Sequence, residues 1–424
     1  MTYTETLNYL YANLPMFQRV GAVAYKEDLI NTVQLCEALG NPHLKFKSIH
    51  IAGTNGKGSS SHMLAAILQT AGYKTGLYTS PHLKEFTERI RINGKEISQE
   101  FVINFVERIT PAIKRIQPSF FEITVAMAYD YFANERVDIA VIETGLGGRL
   151  DSTNVIAPLI SLITNISWDH KDILGDTLQK IAFEKAGIIK QGVPVVISER
   201  QAEVRKVFES KAQECKSNLL FASELYQVNR IADGSYEVMK NHQTFKYELD
   251  LLGIYQAKNI KGVLAVADEL QKQGFRISSN HITEGLRNTT TLTGLKGRWQ
   301  KLGENPLMIC DTGHNEAGIK EILSQIKEIK FDKLHWVLGM VKDKDVSTIL
   351  QLLPKDARYY FCQASIPRAM PASELQIIAE AAGLQGVIIN DVNMAINEAR
   401  TNSASSDLIL IGGSTFVVAE IENL

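Results

Sequence analysis

Short apolar runs that alternate with helical periodicity constrain this chain more than any other feature. KSIHIA (47–52), TGLYTS (75–80), VDIAVIE (137–143), PLISLITNI (158–166) and PVVIS (194–198) are long enough for strands and too short for helices. Between them lie stretches such as SSSHMLAAILQTAG. There Met63, Ile67 and Ala71, with Leu64 and Leu68, form an i, i+3/i+4 stripe, and Gly72 supplies a stop. Such alternation requires right-handed crossovers and a mostly parallel sheet, and near-continuous apolar strands are covered on both faces.

The pattern changes over 219–252. YQVNRIADGSYEVMKNHQTFKYELDL reads as short amphipathic strands with Asp-Gly and Asn-His turns, a small antiparallel insert. Helical periodicity resumes at 257–274 and 280–288. TTTLTGLKG (289–297) is polar and aperiodic and reads as a linker. Strands are then expected near 306–311, 334–339, 357–362, 386–390 and 407–412. We expect two α/β domains, residues 1–295 and 296–424.

Composition narrows the function. The 424 residues are 45% hydrophobic and 22% charged, enough for a sizeable core in each domain. A net charge of −2 gives no electrostatic case for nucleic acid or an acidic membrane surface. The N-terminus lacks a basic patch and apolar run, and no apolar stretch approaches the roughly 18 residues of a membrane span. Four scattered cysteines without a CxxC pair fit reduced thiols. A soluble, cytoplasmic protein is expected.

Gly53-Thr54-Asn55-Gly56-Lys57-Gly58-Ser59 follows a predicted strand and opens a predicted helix. Glycines let backbone N–H groups at a helix N-terminus approach phosphate, and Lys57 adds a positive charge. The spacing is tighter than the usual G-x-x-x-x-G-K-[ST]. A plain βα turn is the weaker alternative for seven residues this rich in glycine, lysine and hydroxyls.

Ligands in open α/β sheets gather at the carboxyl ends of the strands. VDIAVIE ends on Glu143, followed by the glycine-rich TGLGGR, and a carboxylate there suits Mg²⁺ or is simply solvated. Ser80 and His170 end neighbouring runs, so three strands bring Ser80, Glu143 and His170 toward one edge. In the second domain LMIC ends in Asp311-Thr-Gly-His314-Asn315, a second polar edge that suggests a cleft between the domains.

Taken in order, AGTNGKGS, YTSPHL, FTERIRING, IETGLGGRLDSTN, ISWDH, FEKAGIIK, DTGHN and the late IGGS resemble the folylpolyglutamate synthase/dihydrofolate synthase family, within the Mur-ligase group. The resemblance spans almost the whole chain, and the compressed GTNGKGS loop is the family's own form. It implies a P-loop ATPase-like N-terminal domain and a smaller Rossmann-like C-terminal domain. It also implies ATP-dependent joining of L-glutamate to dihydropteroate or a reduced folate, by a monomer. By motif, Gly53 to Ser59 with Asn259, Arg298 and Asp311 would contact ATP. Ser80, Glu143 and His170 would ligate Mg²⁺, with two metal sites implied. Lys185 would be carbamylated, and Lys57, Lys185 and His314 would serve catalysis. Phe121 and Glu122 would meet the pterin substrate. The DTGHN loop departs from the family's usual D-G-A-H-N.

Other readings use the same loop. A muramyl-peptide ligase carries a UDP-binding domain before it, whereas only 52 residues precede Gly53. A regulatory ATPase needs no Arg298 or Asp311, and a degenerate relative would not keep Lys57, Glu143, His170 and Lys185 together. Arg19, in the polar turn at 17–21, either meets a substrate carboxylate or is surface.

Overall fold

The structure, a computed structural model, describes residues 1–15, 28–342 and 345–424. Contacts divide it into two compact units. One comprises 1–167, 171–250 and 256–295; the other comprises 168–170, 251–255 and 296–424.

The first unit is built on eight strands: β1 (Lys47–Ala52), β2 (Thr75–Tyr78), β3 (Ile90–Ile92), β4 (Lys95–Glu96), β5 (Ile139–Glu143), β6 (Ile160–Ile163), β7 (Val195–Ile197) and β8 (Leu219–Phe221). Their order is β4-β3-β2-β5-β1-β6-β7-β8, with β2 and β5 to β8 all parallel to β1. Only β3 runs against the rest, pairing antiparallel with both β2 and β4, and the β3–β4 turn holds Asn93 and Gly94, both at positive φ. The apolar runs thus become buried strands, with only Lys47 at the start of β1 exposed, as expected for helices covering both faces.

Two sequence readings are corrected here. LLF (219–221) belongs to the main sheet as β8, so the insert begins later, as the three-stranded antiparallel sheet of β9 (Gln227–Ala232), β10 (Ser235–Lys240) and β11 (Gln243–Glu248). The supposed linker contains a helical turn, Thr289–Thr293, stopped by Gly294 in the left-handed region. Its threonine hydroxyls bond back to carbonyls four residues earlier, at Thr289 and Thr293, which lets polar residues sit buried in a helix.

The helix Lys57–Thr70 shows more burial than its stripe implied. Every residue from Ser59 to Leu68 is buried, because strands cover one side and other helices the opposite side. Met63, Leu64, Ile67 and Leu68 are at most 1% exposed, and each contributes about 1.5–3 kcal/mol by burial. The helix Ser279–Arg287 comes so close that a Cβ on Gly285 would stand 2.6 Å from Ile67 Cα.

The second unit holds a six-stranded sheet of β12 (Gln300–Glu304), β13 (Leu307–Asp311), β14 (Leu334–Leu338), β15 (Arg358–Phe361), β16 (Gln385–Ile388) and β17 (Leu408–Gly412). Its order is β12-β13-β17-β14-β15-β16, parallel except for β12. In this sheet only β12, charged and at the edge, escaped the sequence reading, as β3 and β4 did in the first. The expected α/β class, with a mostly parallel N-terminal sheet, a small β insert and a smaller Rossmann-like sheet, is what forms. No helix among the described residues is long and apolar enough to cross a membrane.

One buried group couples this sheet to pH. His50 lies on the central strand β1, fully buried, with Nε2 2.8 Å from Thr153 Oγ1. Burial, reinforced by the charge of Lys190, pushes its pKa down from 6.5 to about 3. The ring is therefore neutral when folded and takes a proton only when unfolded. Its stabilising contribution is complete above pH 6.5 and is lost as pH falls from there toward 3. Between pH 6.5 and 5 the native chain should lose about 2 kcal/mol more than a His50→Gln chain. Urea titrations at the two pH values check this; equal losses would show that His50 is not held neutral.

Candidate active site

The loop after β1 is shaped by glycine. Gly53 has φ 143° and Gly56 φ 84°, values that side chains disfavour. A Cβ on Gly53 would lie 1.8 Å from Thr164 Oγ1, and one on Gly56 2.1 Å from Asn259 Oδ1. Gly56 is the N-cap of the helix Lys57–Thr70 but has no side chain to accept a hydrogen bond, so first-turn N–H groups have no side-chain acceptor at the cap. The loop is also tied from outside. Asn165 Oδ1 accepts the Asn55 N–H (3.0 Å), Thr164 Oγ1 donates to the Asn55 carbonyl (2.6 Å), and Thr54 Oγ1 accepts from the Ser167 N–H (3.0 Å).

Two ammonium groups meet on one carbonyl. Lys57 Nζ donates to the carbonyls of Gly53 (3.1 Å) and Thr54 (3.2 Å), and Lys185 Nζ donates to Gly53 (2.9 Å). Lys185 is on the helix Leu178–Ala186 and is buried, so it is no ordinary surface lysine. Gly58 and Ser59 follow in the first helical turn. Buried Gln256 donates to Ser59 Oγ (3.2 Å) and accepts from Asn259 Nδ2 (2.7 Å). Such a cradle suits the oxygens of a phosphate chain.

Glu143 ends β5 with its carboxylate buried, and its Oε2 accepts the Ser80 N–H at 3.3 Å. The glycines that follow are packed closely against neighbouring groups. A Cβ on Gly145 would strike the Phe121 ring, and one on Gly148 the Glu184 and Lys185 carbonyls at 2.9 Å. Asn154 Nδ2 donates to the Arg149 and Gly187 carbonyls, both at 3.0 Å, so this turn is clamped to the helix that carries Lys185.

Phe121 is therefore placed beside the Glu143 turn. Glu122 has a structural part: its Oε2 accepts from the Ser119 N–H (2.6 Å), completing the capping box of the helix Phe120–Asn134, and from Asn31 Nδ2 (3.2 Å). Nearby Arg89, in a motif given no role from sequence, is a buried cation. Its Nε donates to His82 Nδ1 (2.8 Å), and its guanidinium lies 5.3 Å from the Phe120 ring centroid. Arg19 lies outside the described residues.

The remaining candidates belong to the second unit. Asp311 is buried, and burial raises its pKa. It accepts from the Tyr255 hydroxyl (2.6 Å), the Trp299 N–H (2.7 Å) and the Gly313 N–H (2.7 Å). Arg298 donates to Thr312 Oγ1 and to the Gly297 carbonyl (3.2 Å). His314 Nδ1 bonds to the Thr312 carbonyl (2.9 Å). Its Nε2 lies 3.8 Å from one Asp169 oxygen, and His170 Nε2 lies 3.8 Å from the other. Asp169, overlooked beside His170 in SWDH, is thus the carboxylate between two histidines. Among the described residues no group of three or more His, Cys, Asp or Glu side chains gathers as a metal site.

Residues 51–267 match the Mur ligase middle domain, and residues 297–415 match the Mur ligase glutamate ligase domain. The chain belongs to the Mur ligase family, among its folylpolyglutamate and dihydrofolate synthases. It is 33% identical to a Bacillus subtilis dihydrofolate synthase/folylpolyglutamate synthase over 92% of each chain. It superposes on Escherichia coli FolC in complex with DHPP and ADP with a TM-score of 0.87 and 28% identity, over 99% and 97% of the two chains. A bifunctional folylpolyglutamate synthase/dihydrofolate synthase with Mn, AMPPNP and L-glutamate bound gives a TM-score of 0.84 and 28% identity, over 99% and 97%.

A Gly56→Ala ligase should fold and bind a nucleoside diphosphate at least about tenfold more weakly, since the new Cβ collides with Asn259 and strains φ. Calorimetric titration checks this, and unchanged affinity would mean that the loop does not need its glycine geometry.

Proposed function

We propose that this chain is an ATP-dependent amide ligase joining the amine of L-glutamate to the carboxylate of a reduced folate and of dihydropteroate. The observation that carries the reading is the glycine cradle at 53–59, with Lys57 and Lys185 converging on the Gly53 carbonyl. Its support is membership of a family whose members are named for this reaction.

A carboxylate is a poor acyl donor, because oxide would have to leave. Transfer of the γ-phosphoryl group of ATP to a carboxylate oxygen releases ADP and leaves an acyl phosphate. The glutamate amine then attacks the acyl carbon, the bond from that carbon to the phosphate oxygen breaks, and the surplus amine proton passes to solvent. Such a reaction rests on positioning and charge neutralisation.

In this scheme the N–H groups from Gly56 to Ser59 hold phosphate oxygens. Lys57, already anchored within the loop, faces the transferring group with its charge. Glu143, a buried carboxylate beside Ser80, offers the hard oxygen donors that suit a divalent cation. Bound Mg²⁺ would neutralise phosphate charge. For Asn259 the nucleotide contact fits its place against Gly56. For Arg298, Asp311, His314 and His170 the proposed roles rest on their motifs.

Lys185 now donates to the Gly53 carbonyl. A carbamate there would replace a cation by an anion, release that carbonyl, and serve a second Mg²⁺. The four free, buried cysteines agree with a reducing cytoplasm.

Ligation of labelled glutamate, run with dihydropteroate and with tetrahydrofolate, tests the function. Product with both acceptors is expected, and Lys57→Ala should lower turnover by at least about a hundredfold with unchanged circular dichroism. No product with either acceptor, from a chain that binds ATP, would contradict the reading. Lys185→Ala should be inactive and partly rescued by a short carboxylic acid if the carbamate forms; full activity without rescue excludes it.

A further inference from the structure

We infer that Gln256 is a positioning residue that sets the direction of the Ser59 hydroxyl, acting as the middle of a buried amide relay from Asn259. The inference rests on reading this loop as the ATP phosphate cradle.

Three side chains form the relay: Asn259 Nδ2 donates to Gln256 Oε1 at 2.7 Å, and Gln256 Nε2 donates to Ser59 Oγ at 3.2 Å. All three are nearly sealed from water: Ser59 is 1% exposed, Gln256 0% and Asn259 4%. The direction is fixed at its far end. Asn259 Oδ1 occupies the place where a Cβ on Gly56 would stand, 2.1 Å from that point. An amide oxygen can rest against the Cα–H of Gly56, whereas an amide NH₂ there would set hydrogen against hydrogen. With the oxygen on Gly56, the Asn259 nitrogen must face Gln256. Gln256 then presents its oxygen to Asn259 and its nitrogen to Ser59.

The consequence falls on the hydroxyl. Accepting from Gln256 uses one lone pair of Ser59 Oγ, and its proton cannot point back at an NH₂ donor. The proton and the remaining lone pair are therefore turned elsewhere. Ser59 is the third residue of the helix Lys57–Thr70, in the turn whose N–H groups follow the Gly56 cap. A hydroxyl locked in donor orientation at that place adds a hydrogen bond to an anionic oxygen without first having to turn. The sequence hides this, since Gln256 lies 197 positions from Ser59.

The test is a double-mutant cycle on ADP affinity, measured by calorimetry with Mg²⁺ on the full chain. Gln256→Met removes the donor while keeping the length. Alone it should weaken ADP by about tenfold or more, as for loss of a hydrogen bond to a charged group. In a Ser59→Ala background it should weaken ADP by less than about twofold, because the hydroxyl it orients is gone. The KM for ATP should rise while the KM for glutamate stays unchanged.

Equal weakening in both backgrounds would overturn the inference, because Gln256 would then act through the scaffold. So would unchanged affinity in Gln256→Met. If methionine does not fold, Gln256→Glu, the closest in shape, replaces it. A carboxylate only accepts, so the Ser59 proton turns inward, and the loss of affinity should be larger with Ser59 present than in the Ser59→Ala background; equal losses overturn the inference. Failure of the native chain itself to bind ADP overturns the cradle reading and this inference with it.

Discussion

The Gly53 carbonyl accepts from two ammonium groups, one from the loop's own helix and one from the distant helix Leu178–Ala186. A loop of this kind, rich in glycine and opening on first-turn N–H groups, would ordinarily sample many shapes. Here it is held by Lys57 and Lys185 from one carbonyl, by Thr164 and Asn165 from the end of β6, and by Asn259 pressed against Gly56. Each partner arrives on a rigid element, which fixes the shape of the cradle. That matters energetically, because a preformed set of donors avoids the ordering cost that a flexible loop would incur on binding.

The same constraint explains why the helix behind the loop is so deeply buried. A helix that presents its N-terminus to an anion gains from being fixed in place, and Lys57–Thr70 is packed on every side. The turn after Glu143 obeys the same logic. Its glycines are required because Phe121 and the carbonyls of Glu184 and Lys185 come too close for a side chain. Glu143 and Lys185 are thereby coupled through one clamped turn, with Asn154 as the clasp.

The strands were legible because apolar runs of strand length have few alternatives in an alternating chain. Failures came where length or context was missing. LLF is only three residues and precedes the insert, so it read as part of it; QKLGE is charged because β12 is an edge strand. The threonine-rich turn at 289–293 looked like a linker because its hydroxyls satisfy the backbone in a way composition does not reveal. For the candidate site, residues with a motif of their own could be singled out in advance, such as Gly56, Lys57 and Glu143. Gln256 and Asp169 could not, since a single polar residue in sequence carries no sign of where its side chain points. Glu122, which its motif marked as a substrate contact, also completes a helix cap with one of its oxygens.

The cradle matters to function only if the phosphoryl group it holds passes to the acceptor's carboxylate. That transfer leaves a trace in oxygen. With dihydropteroate labelled with ¹⁸O in its carboxylate, each turnover should place one ¹⁸O atom in the phosphate released, because the bond from acyl carbon to phosphate oxygen is the one that breaks. Mass spectrometry of that phosphate would show one labelled oxygen per amide formed. Unlabelled phosphate, released in step with amide, would mean that ATP is cleaved without activating the carboxylate, and the ligase mechanism drawn from this loop would be wrong.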